Sequence, residues 1–191
     1  MSRTSRVDVG RCQVLSGVTS ISSARAADAR EIAALRTQVA RGMTRQFGKG
    51  HWSECPGVAL VQRQLRASHV LVARRDGTIV GTVRLAVTKQ WAIDSGAFTP
   101  VKTSLYVLGL AVSPEARGLG LGRGLMEAAK AKARDWPAQA LWLDAYDHAA
   151  GAGGFYQACG FRKVGPSSTG DVPLIYYEWL VPGQAAITSC S

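Results

Sequence analysis

Four glycines at every second position, in Arg117-Gly118-Leu119-Gly120-Leu121-Gly122-Arg123-Gly124, constrain this chain more than any other feature of its 191 residues. They follow an apolar, β-prone run that ends at Val112, Ser113 and Pro114, and they open a segment whose Leu125, Met126 and Ala129 share one helical face. A glycine-rich passage from strand to helix gathers unbonded backbone N–H groups at the positive end of the helix dipole, which makes an anion site. Glycine lets the backbone approach phosphate oxygens with no Cβ in the way, and Arg117 or Arg123 can add charge-assisted hydrogen bonds. The expected ligand is a pyrophosphate.

Two phosphate motifs do not fit this loop. The P-loop needs Gly-x-x-x-x-Gly-Lys-Ser/Thr, and no glycine here is followed by that pair, which excludes a nucleoside triphosphatase of that type. The dinucleotide fingerprint Gly-x-Gly-x-x-Gly also fails, because Arg123 stands where Gly118-x-Gly120 requires glycine, and Leu125 where Gly120-x-Gly122 does. Asp144 falls on a later strand, about where a ribose-binding acid would be, so a Rossmann-type, nucleotide-dependent oxidoreductase stays open. Against it, a segment containing Pro114 separates strand from first glycine, and only a short helix and two strands follow Asp144.

Around the loop, periodicity outlines an ordered series of elements. Residues 18–23 suit a strand, and 27–41 an amphipathic helix with Ile32, Leu35 and Val39 on one face, Asp28 near its start and Gly42 at its end. Residues 47–57 carry no period, and 58–65 suit a short helix. Runs 69–75 and 78–87, joined at Asp76-Gly77, form a hairpin. A loop over 88–103, containing Trp91, Asp94 and Pro100, leads to a strand over 105–112. The helix over 122–134 is stopped by Trp136-Pro137; a strand over 140–146, a helix over 149–159 and strands over 161–164 and 174–180 complete the series. This order predicts one mixed α/β domain over 18–182, with a flexible basic tail over 1–17 and a C-terminal tail over 183–191.

Charge and cysteines narrow the partners. Lys and Arg number 23 against 13 Asp and Glu, a net charge of +10, which favours anionic partners. Residues 1–46 hold eight Arg against Asp8, Asp28 and Glu31, so they carry half of the excess and the rest is spread. Basic and aromatic residues do not interleave as an RNA-binding sheet requires, so nucleic acid is not the expected partner. No apolar run reaches the ~18 residues of a membrane span, and residues 1–17 lack the apolar core of a secretory signal. Cys12, Cys55, Cys159 and Cys190 are scattered with no Cys-x-x-Cys pair, so neither a metal site nor a disulfide framework is expected. Reduced thiols in a cytoplasmic protein are the simplest reading.

The run Val112-Ser113-Pro114-Glu115-Ala116-Arg117-Gly118-Leu119-Gly120-Leu121-Gly122 resembles the acetyl-CoA signature of the GNAT superfamily of N-acetyltransferases, whose core is Arg-x-x-Gly-x-Gly. Phe155-Tyr156-Gln157-Ala158-Cys159-Gly160-Phe161 is similar to the carboxyl-terminal aromatic-Tyr-x-x-x-Gly-Phe element of that superfamily. The two motifs stand in the family's order and approximate separation. The resemblance implies a mixed, mostly antiparallel sheet of six to seven strands flanked by helices, with a strand splayed at the acyl-CoA site. It implies acetyl-CoA as cosubstrate with no metal, its pantetheine arm paired with backbone at Leu110, Ala111 and Val112, and its pyrophosphate on the amides of Gly118, Leu119, Gly120, Leu121, Gly122 and Arg123 beside Arg117. Tyr156 takes the position that in many members protonates the departing thiolate. A phenol with pKa ~10 holds its proton at neutral pH, which suits that role, although a tyrosine there also reads as a packed aromatic.

The sequence departs from the family at two positions. No acid lies between Tyr106 and Val112, where many relatives carry a glutamate as base or water relay, and Ala149 stands where an asparagine is usual. Asp144, Asp147, His148, Glu54, His51 and Asp94 are bases by chemistry, and each also reads as a turn, cap or solvated residue. The expected reaction is direct attack of a primary amine on the thioester, with a small-molecule or peptide acceptor and a monomer or homodimer as the working form. A polycationic acceptor would be repelled by the net charge of +10 unless acids cluster locally. A non-catalytic acyl-CoA sensor is the alternative outside enzymes.

Overall fold

The computed structural model describes residues 19–88, 94–167 and 173–183. The expected basic tail, Trp91, Cys12, Cys190 and the C-terminal tail beyond Gly183 lie outside these residues. In chain order the elements are β1 (Thr19–Ser23), α1 (Ala29–Phe47), α2 (Val58–Ala67), β2 (His69–Arg75), β3 (Thr78–Ala86), β4 (Ser104–Val112), α3 (Leu121–Asp135), β5 (Ala140–Tyr146), α4 (Gly153–Ala158), β6 (Arg162–Pro166) and β7 (Leu174–Leu180). The strands form a seven-stranded sheet in the order β1-β2-β3-β4-β5-β7-β6, antiparallel at every junction except β4–β5.

Local chemistry fixes the hairpin. Asp76 and Gly77 both have positive φ, 50° and 82°, the signature of a type I′ turn whose twist matches that of the flanking strands. The expected end of α1 at Gly42 is corrected: the helix runs on to Phe47 and stops at Gly48, whose φ is 78° and whose N–H bonds to the Thr44 carbonyl. An internal glycine costs ~1 kcal/mol relative to alanine, and the extra turns carry Met43 to the wall of a cleft and Phe47 against Trp52, 6.4 Å between ring centroids. The expected helix over 149–159 is also corrected, because α4 starts only at Gly153. Gly151 is folded so tightly that a Cβ there would overlap the Tyr146 carbonyl, and its N–H closes a turn onto His148 O at 2.7 Å.

Side-chain alternation divides the core between the two faces of the sheet. On one face, Leu125, Met126, Ala129 and Ala133 of α3 are fully buried against Leu71, Val83, Leu105, Leu141 and Leu143. Gly81 permits this approach, since a Cβ there would stand 2.9 Å from Leu125 Cδ1. On the other face, α1 and α2 cover β2 and β3 through Ile32, Leu35, Val61, Val70 and Val72. Beyond them, Phe98 stacks on Trp142 at 4.5 Å and packs with Tyr106 and Tyr176. Between these two outer clusters the sheet is left open. No helix among the described residues is long and apolar enough to cross a membrane, and none of their His, Cys, Asp and Glu side chains cluster in threes that could hold a metal.

Candidate active site

The parallel junction is the shortest in the sheet. β4 pairs with β5 only at Ser104↔Ala140, Leu105↔Leu141 and Tyr106↔Trp142. Past Tyr106 the strands part: β4 stays paired with β3 as far as Val112, and β5 with β7 as far as Tyr146. Backbone groups from Val107 to Val112 and from Leu143 to Tyr146 thus face a gap. A bulge in β4 widens the change, since Thr82 opposes Ala111 and Arg84 opposes Leu108, so two residues, Gly109 and Leu110, share one partner. Gly109 takes the left-handed conformation, φ 58°, that such a bulge asks for. The bulge also reverses the alternation: Leu105 and Val107 face α3, and after it Leu110 and Val112 do so.

At the far end of β4 a short 3₁₀ turn, Pro114–Ala116, leads into the glycine loop. Gly118 and Gly120 have φ of 77° and 76°, and a Cβ built on either meets nothing within 4 Å. They serve the backbone conformation and leave open space above it. Gly122 and Gly124 serve packing instead, with Cβ positions 3.2 Å from Phe155 Cζ and 3.0 Å from Ile21 Cδ1. Gly120 caps α3, and the first N–H to bond back is that of Gly124, to Gly120 O at 2.9 Å. The amides of Leu121, Gly122 and Arg123 therefore stand at the helix start with no partner of their own helix. The loop is held from below by Ser113, whose N–H bonds to Val80 O at 2.8 Å, and by Glu115, which accepts from Ser113 Oγ and from Gln38 Nε2 at 3.0 Å. The open, dipole-positive cradle fits a pyrophosphate, and the gap between β4 and β5 fits an extended arm leading from it.

The gap opens on the other side into a cleft of about 390 Å3 between α1, α2 and the ends of β4 and β5. Tyr156, Asp144, Glu54 and His51 all line it. The Tyr156 ring packs against Phe155 at 5.4 Å and against Phe161 and Tyr177, each at 6.1 Å. Burial, then the Asp144 carboxylate, then Cys159 push its phenol well above the usual tyrosine value. Tyr146 is raised by burial and by Asp144 and Glu54. His51 stacks on Tyr146 at 6.3 Å, and Trp52 meets Tyr146 edge-on at 5.5 Å and His148 at 5.2 Å, so an aromatic wall closes one end of the cleft.

The side chains of Asp94 and His148 serve local structure. Asp94 accepts from Gly96 N–H at 3.0 Å and caps a turn, and His148 Nδ1 accepts from Ala150 N–H at 3.0 Å. The Asp147 N–H bonds to Pro173 O at 2.8 Å, tying the end of β5 to the start of β7. Two cleft residues escaped the sequence reading: Arg36 of α1 and Arg84 of β3. The signal was present in each, since Arg36 shares a helical face with Ile32 and Ala40, and Arg84 interrupts the apolar run from Ile79 to Ala86.

A family model described as the acetyltransferase (GNAT) family matches residues 36–161. Among solved structures, yncA from Salmonella typhimurium, determined with its cofactor acetyl-CoA, is 17% identical, with 91% of this chain and 99% of that chain covered and a TM-score of 0.68. A ribosomal-protein-alanine N-acetyltransferase from Brucella melitensis is 19% identical over 84% of this chain and 98% of its own, with a TM-score of 0.62. The paia N-acetyltransferase from Thermoplasma acidophilum, in complex with coenzyme A, is 12% identical over 85% and 99% of the two chains, with a TM-score of 0.66. At these identities the structural likeness is one of fold. No curated protein matches the sequence.

Proposed function

The chain belongs to the GNAT family of acetyltransferases, and from that premise we propose that it transfers the acetyl group of acetyl-CoA to a primary amine by direct attack on the thioester. The observation that carries this reading is the parting of β4 from β5 after Tyr106 and Trp142, which joins the glycine cradle on one side to the Tyr156 cleft on the other. In this reading the amides of Gly118, Leu119, Gly120, Leu121, Gly122 and Arg123 hold the pyrophosphate, with the Arg117 and Arg123 side chains as further donors. The pantetheine arm lies as a partial strand against Leu110, Ala111 and Val112. Backbone N–H groups at Leu110 or Val112 stabilise the oxyanion as the amine adds.

Proton transfers fall to the cleft side. Tyr156 keeps its proton, because burial and the neighbouring Asp144 disfavour the phenolate. It therefore holds the proton that the leaving thiolate must receive. Asp144, two residues past the last β4–β5 pair, is the carboxylate to which this reading gives the amine's proton, directly or through water; Glu54 and His51 line the same cleft. The Rossmann-type oxidoreductase has no support in this fold, whose sheet is antiparallel at every junction but one.

Isothermal calorimetry with acetyl-CoA, on the wild type and on Gly120→Asp, tests the reading. The substitution places a carboxylate over the cradle at a left-handed position that aspartate tolerates. A loss of affinity of at least tenfold in a folded variant is expected, and unchanged affinity would remove the cradle assignment. Release of thiol from acetyl-CoA with an amine panel then separates an enzyme from an acyl-CoA sensor.

A further inference from the structure

Arg36 and Arg84 enter the cleft from different elements, and among the described residues no acid forms an ion pair with either. Both are half-buried and both line the cleft. Arg36 NH1 donates to the neutral Oε1 of Gln64 at 2.8 Å, and its guanidinium lies against the β4 bulge, where a Cβ on Gly109 would stand 3.7 Å from Arg36 Cζ. The Arg84 side chain makes no hydrogen bond or ion pair among the described residues, and no carboxylate among them is within ion-pair distance of either guanidinium. Glu54 attracts Arg36 only from farther off, while burial and the charge of Arg36 both weigh against the charged form of Arg84. Two like charges held together in a partly dewatered cleft, where carboxylates could have paired with them, describe a receptor for an anion.

We propose that Arg36 and Arg84 form an anion subsite in the acceptor half of the cleft, and that the acceptor is a small amine carrying a carboxylate. This rests on the acetyltransferase reading of the same cleft. The subsite adjoins the bulge where β4 leaves β5, so an anchored carboxylate directs the other end of a short molecule toward the gap. Asp144 and Glu54 in the same cleft attract the ammonium end, which makes the cleft dipolar in the sense of a zwitterion. Trp52 and Tyr146 offer an aromatic wall to an apolar side chain. A polyamine or other polycation would bring further positive charge against both guanidiniums.

The test is acetyl transfer by the full chain to apolar α-amino acids, each set beside its α-carboxamide, with free CoA thiol as readout. The acids are expected to exceed their amides in kcat/KM by at least about tenfold, because a site built for a charged group is left unpaired by its neutral analogue. Arg84→Gln and Arg36→Gln should each raise KM for the acids by about tenfold, narrow the gap between acid and amide, and leave acetyl-CoA affinity by calorimetry unchanged. Amides used as well as acids, or an acid preference that survives in both variants, would overturn the subsite. So would wild-type protein that binds acetyl-CoA yet uses no acid of the panel. Wild-type protein that binds no acetyl-CoA would instead overturn the acetyltransferase reading, and the subsite with it.

Discussion

The Phe155 ring lies across the first turn of α3 at Gly122, so close that a Cβ on Gly122 would stand 3.2 Å from Phe155 Cζ. One contact thereby ties the cradle helix to α4, the helix that carries Tyr156. Gly122→Val should push Phe155 away and destabilise the protein by about 1–3 kcal/mol, the usual cost of overpacking. It should also lower kcat by displacing Tyr156. Gly118→Ala meets open space and should cost only the ~1–2 kcal/mol of a left-handed alanine. Denaturant melts and steady-state rates of the two variants check the contrast; equal effects on kcat would show that the contact does not position α4.

Tyr156→Phe should lower kcat by about 10²-fold, the lower range for general acid–base catalysis, with acetyl-CoA affinity little changed. The ring would keep its packing on Phe155, Phe161 and Tyr177. Because burial and Asp144 raise the phenol above its ordinary value of ~10, its acid form persists through neutral and alkaline pH. The wild-type kcat should therefore show no decline up to about pH 10. A rate within about threefold of wild type in the variant would rule out the assigned role.

Asp28 is buried at the start of α1, where burial would raise its pKa but the Arg25 N–H at 2.6 Å and the Arg74 guanidinium at 2.7 Å outweigh that and lower it. A carboxyl depressed on folding adds stability that is fully present above its unfolded value, ~3.9, and is lost as pH falls through the folded value. Asp28→Asn should cost about 1–3 kcal/mol at pH 7, and the difference from wild type should shrink below about pH 4. Urea melts at pH 7 and pH 3 measure it.

Glu178 is 1% exposed in the middle of β7, where its carboxylate accepts from Thr99 N–H at 2.8 Å, from Thr99 Oγ1 at 2.7 Å and from Arg162. It fastens the segment whose Phe98 stacks on Trp142. Glu178→Leu strands the half-buried donors of Thr99 and should destabilise by about 2–4 kcal/mol. In a domain of this size that is a fall in Tm of about 4–16 °C. A shift below about 2 °C would show that the segment is held by Phe98 alone.

What the sequence made legible was local. The Asp76-Gly77 hairpin and the α3 face of Leu125, Met126 and Ala129 follow from turn chemistry and periodicity, which neighbouring residues decide among themselves. The resemblance of two motifs added the splayed junction, which no periodicity in β4 or β5 encodes. Gly42 misled because the gain that carries α1 past it lies with Met43, on the cleft wall, and Phe47, whose ring meets His148 at 6.4 Å, and these partners are remote in sequence. Gly151, Gly153 and Gly154 were warning enough against an early start to α4. Arg36 and Arg84 went unread because each looked like a lone charge on an apolar face, and only the fold brings them together.

The three residue pairs at the β4–β5 junction have a mechanical consequence. Strands β1 to β4 form one plate and strands β5, β7 and β6 another, and the backbone ladder runs across the joint only near Ser104 and Ala140. Along the rest of the seam the two plates are joined through the α3 core, where Leu125 and Met126 are buried with Leu71 and Val83 of one plate and Leu141 and Leu143 of the other. The cleft spans that seam, with Arg84 lining it from one plate and Asp144 from the other. In the proposed reaction, acyl arm and acceptor would meet across that one joint.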